Sequence, residues 1–399
     1  MNQPTMLRVS ILLCVCVYVS LATDCRIYLR SNATHEKSPL LLKSKGAVYN
    51  LLEPEGTYFK LKEGENIVIG CSNVKNEIAE LKEHLANITC VKHQEFEVKG
   101  LKKQLNQLNC SSSISSAIKA QNRPCAGGTG ALFDVGFEVL GIPFVKFFQS
   151  CYSLEKSSVI YTDHDILGRS INDGQINNDR PAFKVGGLNS KVRFSSVYTQ
   201  NAQKERLAQL LGSNTLAEKY ISSSSFFAKG HLTPDGDSVL NSWAGATYFY
   251  INAAPEWQII NVGNWVRVEN AARSIAAKLN DTVKVFTGVY DILTLPDVNG
   301  RMVPITLAEN SQLEAPKWFW KVLFHAASNS AIALITLNNP YASSGEYLCN
   351  DVCNRYGWGQ KEFQDLRKGF TYCCTVQELR KAIKFIPTKA DASNILRFN

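Results

Sequence analysis

Residues 226–273 constrain the fold more tightly than any other stretch of this sequence. The stretch opens with a Phe-Phe-Ala-Lys-Gly-His run that ends at His231, and Pro234 and Gly236 follow closely. Glycine allows a sharp turn and the close approach of a ligand, so the run predicts a strand that ends in a turn carrying the histidine. Two isoleucines then precede Asn261, which begins a segment with apolar residues at helical spacing. The sequence therefore predicts a strand, a turn and a helix that bring polar side chains together.

The predicted helix carries Glu269 and Arg273, four residues apart. Its apolar positions are Trp265, Val268, Ala272 and Ile275. An acidic residue four positions before a basic one is the favourable order for a pair on one helix face. An exposed salt bridge is therefore one interpretation, and two side chains facing a common site are the other.

The residue types in this stretch suit phosphodiester hydrolysis, which needs a base for water, a divalent cation and positive groups for the phosphates. His231 has the pKa range of a general base, although a histidine in a turn is commonly structural. The amide of Asn261 could cap the helix or bind a hard cation such as magnesium, which keeps most of its waters. Near such a cation, Glu269 would hold a metal-bound water and Arg273 a phosphate.

The first 22 residues have the pattern of a secretory signal peptide. Arg8 precedes an apolar run over residues 9–19, and the small residues Ser20 and Ala22 mark a cleavage site. The run is shorter than the ~20 residues that a membrane-spanning helix needs, and no later stretch qualifies. The sequence predicts export to the extracellular space and no membrane attachment after cleavage. Loss of Arg8 lowers the net charge from +8 to +7, which fits an anionic partner such as nucleic acid.

Cysteine usage agrees with export, because ten cysteines remain after residue 22 and an even number favours disulfides. They are Cys25, Cys71, Cys90, Cys110, Cys125, Cys151, Cys349, Cys353, Cys373 and Cys374. Zinc bound by the last four is the alternative, which the lack of a neighbouring histidine disfavours. Four Asn-x-Ser/Thr sequons predict glycosylation, at Asn32, Asn87, Asn109 and Asn280.

Two units are expected in the mature chain, a small disulfide-stapled module over 23–125 and a larger domain over 126–399. Ser-rich residues 111–116 and Gly-rich residues 125–130 predict the linker between them. The module is expected to have mixed structure. Residues 64–71 are typical of a strand, and the segment 76–108, rich in Leu, Lys and Glu, favours a helix because Leu81, Leu85 and Ile88 repeat at helical spacing.

The larger domain is expected to be rich in strands. Strands are predicted at 159–161, 192–198 and 283–289, a hairpin over 319–337, and helices at 201–211 and from Thr375 onward. The Asp163-His164-Asp165 run could bind a metal or simply be polar. Residues 173–179 lack the spacing of an EF-hand calcium loop.

The stretch 226–273 resembles the DNA/RNA non-specific endonuclease family, the Serratia-type nucleases with a ββα-metal core. That family carries Asp-Arg-Gly-His, then Asn, then Glu and Arg on the following helix, and this chain has Ala228, Lys229, Gly230 and His231, with Asn252 further on. The run from Asn261 to Glu269 resembles the Asn-x-Gly-x-Trp-x-x-x-Glu helix start. The Phe-Thr-Gly-Val-Tyr run at 286–290 and the Pro-Lys-Trp-Phe-Trp-Lys run at 316–321 also match, so the resemblance covers about 150–390. The signal peptide and N-terminal cysteines are most similar to the secreted insect branch, which includes gut double-stranded RNases and salivary nuclease-like proteins.

The resemblance implies an α+β fold, with the ββα-metal core on a mostly antiparallel sheet. It implies His231 as general base, Asn261 as the direct Mg²⁺ (or Mn²⁺) ligand and Glu269 as the holder of metal-bound water. It further implies that Asn252 supports the site and that Arg273 and Lys229 contact phosphate. The reaction would be in-line attack of water on DNA or RNA that leaves a 5′-phosphate.

Two positions depart from the family pattern, because Ala228 replaces the acidic residue and Lys229 the arginine. Lysine keeps the charge but loses the two-pronged donor geometry of arginine. The first hypothesis is thus a secreted, metal-dependent endonuclease with little sequence preference and attenuated activity. The second is a secreted nucleic-acid-binding protein with a decayed site, and the third a disulfide-rich adhesion or immune module. The sequence leaves open the preference for DNA or RNA and for single or double strands, the disulfide pairing, the oligomeric state and the role of the N-terminal module.

Overall fold

The computed structural model describes residues 24–30, 34–174 and 180–398. The predicted signal peptide, the sequon at Asn32 and most of the 173–179 loop lie outside the described residues. Within the described residues, no helix is both long enough and apolar enough to cross a membrane.

The chain contains strands along its whole described length. They are β1 (Cys25–Tyr28), β2 (Leu40–Lys45), β3 (Val48–Leu51), β4 (Tyr58–Leu61), β5 (Asn66–Gly70), β6 (Leu85–Lys92), β7 (Glu95–Val98), β8 (Leu101–Gln104), β9 (Ala117–Cys125), β10 (Gly130–Phe137), β11 (Val145–Ser153), β12 (Ser158–Leu167), β13 (Phe227–His231), β14 (Ala253–Trp257), β15 (Thr282–Ile292), β16 (Thr294–Pro296), β17 (Met302–Pro304), β18 (Pro316–His325), β19 (Ser330–Leu337), β20 (Thr371–Cys374) and β21 (Asn394–Ile395).

The α-helices of the described chain are fewer than the strands. They are α1 (Phe194–Val197), α2 (Gln200–Leu211), α3 (Asn214–Tyr220), α4 (Asn241–Ala244), α5 (Gln258–Ile260), α6 (Val266–Leu279) and α7 (Val376–Ala382), and a π-helical turn (Asn261–Trp265) joins α5 to α6.

A nine-stranded sheet forms the larger domain, in the order β20-β19-β18-β15-β12-β11-β10-β9 with β21 added beside β19. All pairings along this path are antiparallel, and only the short β21 runs parallel to its neighbour. The predicted α+β fold with a mostly antiparallel sheet is confirmed. Every residue of β19 is buried because both sheet faces are covered.

Each face of the sheet packs against a separate apolar cluster. One cluster contains Trp265, Val268 and Ile275 from the α6 region together with Val285 and Phe319 from the sheet. The other contains the C-terminal α7, through side chains such as Leu379, against Trp318 and Tyr372. The site-bearing helix is thereby fixed to the sheet by burial of its apolar side, which contributes roughly 25 cal/mol for each Å² removed from water.

The N-terminal module is built from strands, and the helix predicted over 76–108 is wrong. Its six-stranded sheet runs β3-β2-β5-β6-β7-β8, and β1 pairs with β4. In β6 the alternate residues Ala86, Ile88 and Cys90 are buried, a period of two. One of the residues at helical spacing, Leu81, lies in a turn before the strand. The helical spacing was therefore a coincidence between a residue of the turn and residues of β6. The strand predicted at 64–71 is confirmed as β5.

All ten cysteines of the described chain form disulfides, which confirms that expectation against the zinc alternative. The pairs are Cys25–Cys90, Cys71–Cys110, Cys125–Cys151, Cys349–Cys374 and Cys353–Cys373. The first two lie within the N-terminal module, whose separate core includes Phe59 and Phe96.

Several local predictions for the larger domain are confirmed and two are wrong. The helix at 201–211, the strands around 159 and 283, the hairpin β18–β19 and the helix after Thr375 are present. The strand predicted at 192–198 is wrong, because helix α1 occupies Phe194–Val197 in that segment, and Phe194 stacks on Tyr250 with ring centroids 4.6 Å apart. The Gly-rich stretch at 125–130 is a tight turn between β9 and β10 rather than a linker.

Candidate active site

A two-stranded hairpin and the start of helix α6 hold the predicted site residues. Strands β13 and β14 pair antiparallel, with His231 opposite Ala253 at the end of the pair. Asn261 begins the π-helical turn, and Glu269 lies in the first turns of α6. The strand, turn and helix expected from residues 226–273 are therefore present.

At two positions of the site, a neighbouring chain segment comes so close to the backbone that only glycine fits. A Cβ on Gly230 would lie 2.3 Å from an oxygen of Glu256 on the neighbouring strand. A Cβ on Gly263 would lie 2.8 Å from the carbonyl oxygen of Lys368. Beside Gly263, the Asn264 amide donates to the carbonyls of Glu362 and Gly369, which ties the turn to the C-terminal loops. These contacts fix Asn261 at the head of the helix.

His231 is half-buried and carries a nitrogen without a partner. Its ring packs against Phe183 and Tyr248, each with ring centroids 4.9 Å away. Nε2 is buried and makes no hydrogen bond in the described structure. Burial lowers the pKa of His231 to about 4. The nearby charges of Arg180 and Lys229 act in the same direction, whereas that of Asp235 opposes them. At neutral pH the imidazole is uncharged, so one nitrogen can accept a proton.

Asn252 holds the turn that follows His231. Its side-chain oxygen accepts from the Thr233 amide at 2.8 Å, and its nitrogen donates to the carbonyls of Thr233 and Thr247, each at 2.8 Å. Asn252 is completely buried. Every polar atom of its side chain is used, so its geometry suits support of the site rather than contact with a substrate.

Glu269 is a carboxyl group in a buried electrostatic cluster. Burial raises its pKa to about 7. The positive charges of Lys321 and Arg273 favour the ionised form, and the negative charges of Asp237 and Asp235 disfavour it. Because the pKa of Glu269 is close to neutral pH, its carboxyl group can readily lose its proton when a cation or a bound water is present.

Arg273 pairs with Asp237 instead of forming the salt bridge with Glu269 that its position on the helix allowed. One guanidinium nitrogen donates to Asp237 at 2.8 Å and another to Asn270 at 2.7 Å. The second oxygen of Asp237 lies 2.7 Å from Nε2 of His164. Burial alone would raise the pKa of Asp237, but the His164 hydrogen bond and the charges of Arg273 and Lys321 lower it.

The Asp163-His164-Asp165 run is engaged in protein contacts. His164 joins Asp237, and the Lys284 ammonium lies 3.4 Å from oxygens of both Asp163 and Asp165. These pairs satisfy the groups that sequence analysis considered as metal ligands.

Lys229 lies beside His231 against aromatic rings. Its ammonium nitrogen is 5.6 Å from the Phe183 ring centroid and 5.4 Å from that of Tyr198. Burial lowers the pKa of Lys229. Across the hairpin, Ala228 is opposite Glu256.

Sequence reasoning missed two charged residues that complete the site, Glu256 and Lys321. Glu256 is fully buried, and neither of its carboxylate oxygens has a hydrogen-bond partner in the described structure. Burial raises its pKa well above the usual range, and the charge of Glu269 adds to this. A glutamate inside the apolar strand Ala253–Trp257 was the signal that could have revealed it.

Lys321 is also fully buried and lies under the site. Its ammonium donates to the Thr287 hydroxyl at 2.5 Å and to the Leu232 carbonyl at 3.3 Å. Burial lowers its pKa, while the charges of Asp237, Glu269 and Glu256 raise it. The charge of Lys321 compensates part of the negative charge on the two glutamates.

The donor set fits a hard divalent cation. The side chain of Asn261 makes no hydrogen bond to any described residue, and the oxygens of Glu256 have no partner. Oxygen donors of this kind suit Mg²⁺, which retains several waters and needs few protein ligands. Among the described residues, the one close grouping of three His, Cys, Asp or Glu ligands is Asp351 with Cys353 and Cys373, which lies outside this site, and those cysteines form a disulfide.

The protein belongs to the DNA/RNA non-specific endonuclease family, whose pattern matches residues 128–379. Nucleases of this family require a divalent metal. The matched region contains the hairpin, the turn and α6, whereas the whole N-terminal module (23–125) precedes it.

Three salivary proteins are similar to this protein over most of the chain. A salivary endonuclease of Lutzomyia longipalpis is 29% identical over 92% of this chain and 85% of its own. The salivary protein Tsal2A of Glossina morsitans morsitans is 24% identical over 94% of this chain and 95% of its own. A salivary endonuclease of Culex quinquefasciatus is 25% identical over 70% of this chain and 76% of its own. The first two similarities extend across the N-terminal module.

Proposed function

We propose that this protein is a secreted, divalent-metal-dependent endonuclease that hydrolyses DNA and RNA with little sequence preference. The observation that carries the proposal is the buried, unpartnered Nε2 of His231 at the end of the hairpin, in a site where the charge of Asp235 acts on the pKa of both His231 and Glu269. A base that is free at neutral pH next to cation-compatible oxygens is the arrangement that hydrolysis of a phosphodiester needs.

Each residue of the site has a proposed role. His231 takes a proton from the attacking water at Nε2, and Asn261 binds the cation directly. Glu269 orients water, and Asn252 keeps the turn after His231 in place. Arg273 and Lys229 hold phosphate oxygens by charge. When bound, Mg²⁺ or Mn²⁺ supplies a Lewis acid that neutralises charge developing on the phosphate. Departure of the 3′ oxygen leaves a 5′-phosphate on the product.

Cleavage assays test the proposal. Purified protein is incubated with supercoiled plasmid and with double-stranded RNA, in Mg²⁺ and in EDTA, beside His231→Ala. We expect cutting in Mg²⁺ that disappears in EDTA and falls at least ~100-fold in the variant, because general-base catalysis contributes about that factor. His35→Ala is the matched control, since His35 is exposed in the N-terminal module. Cutting that survives in His231→Ala would contradict the assignment of the base.

A nucleic-acid-binding protein without catalysis is the second candidate function. Ala228 and Lys229 favour it, because the hairpin carries no carboxylate at 228 and a single-point cation at 229. In that case the same assays show no cutting, and a gel shift persists in EDTA and in His231→Ala. Binding would weaken steeply with added salt, as expected for phosphate contacts.

Secretion and glycosylation are also proposed. Five disulfides support an oxidising compartment. Asn87 and Asn280 are exposed, so their sequons are accessible to modification. Mass analysis of protein from culture medium should find a mature chain beginning at Thr23, with a mass that drops after enzymatic removal of N-glycans.

A further inference from the structure

A cavity of about 420 Å³ lies beside His231 and is lined by both parts of the chain. The N-terminal module contributes Glu36 and the loop of residues 113–116, and the larger domain contributes Arg180, Lys184 and Tyr248 among others. The volume is within the range of small-ligand sites, about 300–1,000 Å³. The nuclease core alone does not explain why residues of the N-terminal module line this cavity.

One aromatic side chain, Tyr248, lines the cavity and also contacts His231. The Tyr248 ring packs against that of His231 with centroids 4.9 Å apart, and its hydroxyl donates to Asp235 at 2.6 Å. Asp235 also lines the cavity. A polynucleotide whose scissile phosphate reaches His231 must continue on either side of that point, and this cavity is separated from His231 by one aromatic ring.

Positively charged side chains on the larger-domain side of the cavity suit the phosphates of the polynucleotide. Arg180 is exposed in the cavity lining. The Lys184 ammonium donates to the Ser116 hydroxyl at 2.8 Å and lies 4.2 Å from the Phe249 ring centroid. Lys184 therefore ties the loop to the larger domain while its positive charge faces the same space.

The loop on the opposite side is held rigidly by the N-terminal module. Its Ser115 amide donates to the Ser72 hydroxyl at 2.8 Å. The side chain of Asn76 accepts from the Ser112 amide at 2.9 Å and donates to the Ser112 carbonyl at 3.0 Å. The Cys71–Cys110 disulfide lies in the same region of the module. The exposed hydroxyls of Ser113 and Ser115 are thus presented by a fixed backbone, which lowers the entropic cost of binding.

We propose that the N-terminal module forms one wall of the substrate cleft and that residues 113–116, with Arg180 and Lys184 opposite, bind the sugar-phosphate backbone flanking the scissile bond. This inference rests on the proposed function, because it assigns a subsite to the same polynucleotide. It explains why the module is fixed to the nuclease core instead of being loosely tethered. It also makes the loop a determinant of affinity and of the length of strand engaged.

Substitutions that change the charge of the 113–116 loop test whether the N-terminal module forms one side of the substrate cleft. All variants carry His231→Ala, so binding is measured without cleavage, by fluorescence anisotropy of a labelled 20-base-pair DNA duplex and of an RNA duplex. Ser115→Glu should weaken binding at least ~5-fold and Ser115→Lys should strengthen it. The slope of log affinity against log salt should become steeper by about one for the lysine variant. Ser112→Glu and Ser112→Lys are the matched controls, because Ser112 is exposed in the same segment but does not line the cavity.

The outcomes separate this inference from the proposed function. Position 115 should respond to charge and position 112 should change binding less than twofold. If binding is tight and salt-sensitive but charge substitutions at 112 and 115 change affinity equally, the proposed contact between the N-terminal module and the substrate is wrong. The nuclease assignment would not be affected. Failure of the parent protein to bind any duplex at low salt would overturn both.

Discussion

Replacing Glu269 by glutamine should stabilise the cation-free protein while impairing its function. The carboxyl pKa rises from 4.5 in the unfolded chain to about 7 in the folded protein. One pKa unit corresponds to about 1.4 kcal/mol, so keeping Glu269 ionised costs roughly 2–3 kcal/mol after allowing for its partial exposure. The net pKa already includes the favourable charges of Lys321 and Arg273. Glutamine keeps the shape of the side chain and removes the ionisation.

The sign of the effect depends on pH. Below pH 4.5 the carboxyl is protonated in both folded and unfolded states, so Glu269→Gln should change the free energy of unfolding by nearly zero. As the pH rises through 7 the wild-type protein loses stability, because the unfolded chain releases the proton more easily. At pH 8.5 the variant should therefore be more stable by roughly 2–3 kcal/mol.

Urea unfolding in EDTA, followed by circular dichroism at pH 4 and pH 8.5, measures this difference with the disulfides intact. Glu218→Gln is the control, since the Glu218 side chain is 65% exposed. An identical gain for Glu269→Gln at both pH values, or a loss at pH 8.5, would refute the argument that burial governs this carboxyl.

Three further predictions concern the same cluster. Mn²⁺ affinity, measured by electron paramagnetic resonance, should increase about tenfold from pH 6 to pH 8, because the cation competes with a proton on Glu269, whose pKa is about 7; a flat profile would contradict this. Glu256→Gln should raise the free energy of unfolding at pH 8 by about 1–3 kcal/mol, since it removes an unpartnered buried carboxylate; lower stability in urea would show that the charge is satisfied. Asp237→Ala should cost about 3–5 kcal/mol in the same assay, because it removes the buried carboxylate that contacts both His164 and Arg273; a loss below 1 kcal/mol would contradict a structural role for Asp237.

The core of the candidate site was predictable because its chemistry is local in sequence. His231, Asn261 and Glu269 lie within one strand-turn-helix stretch, and their order along the chain carries the resemblance to the family. The glycines at 230 and 263 are visible in the sequence, but the reason for each, the close approach of Glu256 and of Lys368, comes only from the fold. Local patterns likewise predicted the hairpin β18–β19, in which both strands are apolar and joined by a short turn.

The rest of the site depends on pairings between distant segments. Asp237 meets His164, 73 residues away, and Lys321 reaches the Leu232 carbonyl, 89 residues away. Neither pairing leaves a periodicity in the sequence, because each is a consequence of strand order in the sheet. Glu256 had a signal, a charge inside an apolar strand, but its significance depends on the burial that only the fold reveals. Strand β6 of the module was missed because Leu81, in the preceding turn, and Leu85 and Ile88, in the strand, have the spacing of a helix.

Strand β9 decides where the nuclease part of this chain can be cut. Residues 23–125 and 126–399 remain the proposed division, yet β9 (Ala117–Cys125) pairs with β10 and its last residue is bonded to Cys151. A truncated protein that begins at residue 126, close to the start of the family match at 128, would expose an unpaired sheet edge and an orphan thiol. Such a fragment should form disulfide-linked dimers and aggregate when exported. A recombinant nuclease fragment must therefore start before residue 117, and failure of the shorter version to express would say nothing about whether the catalytic residues work.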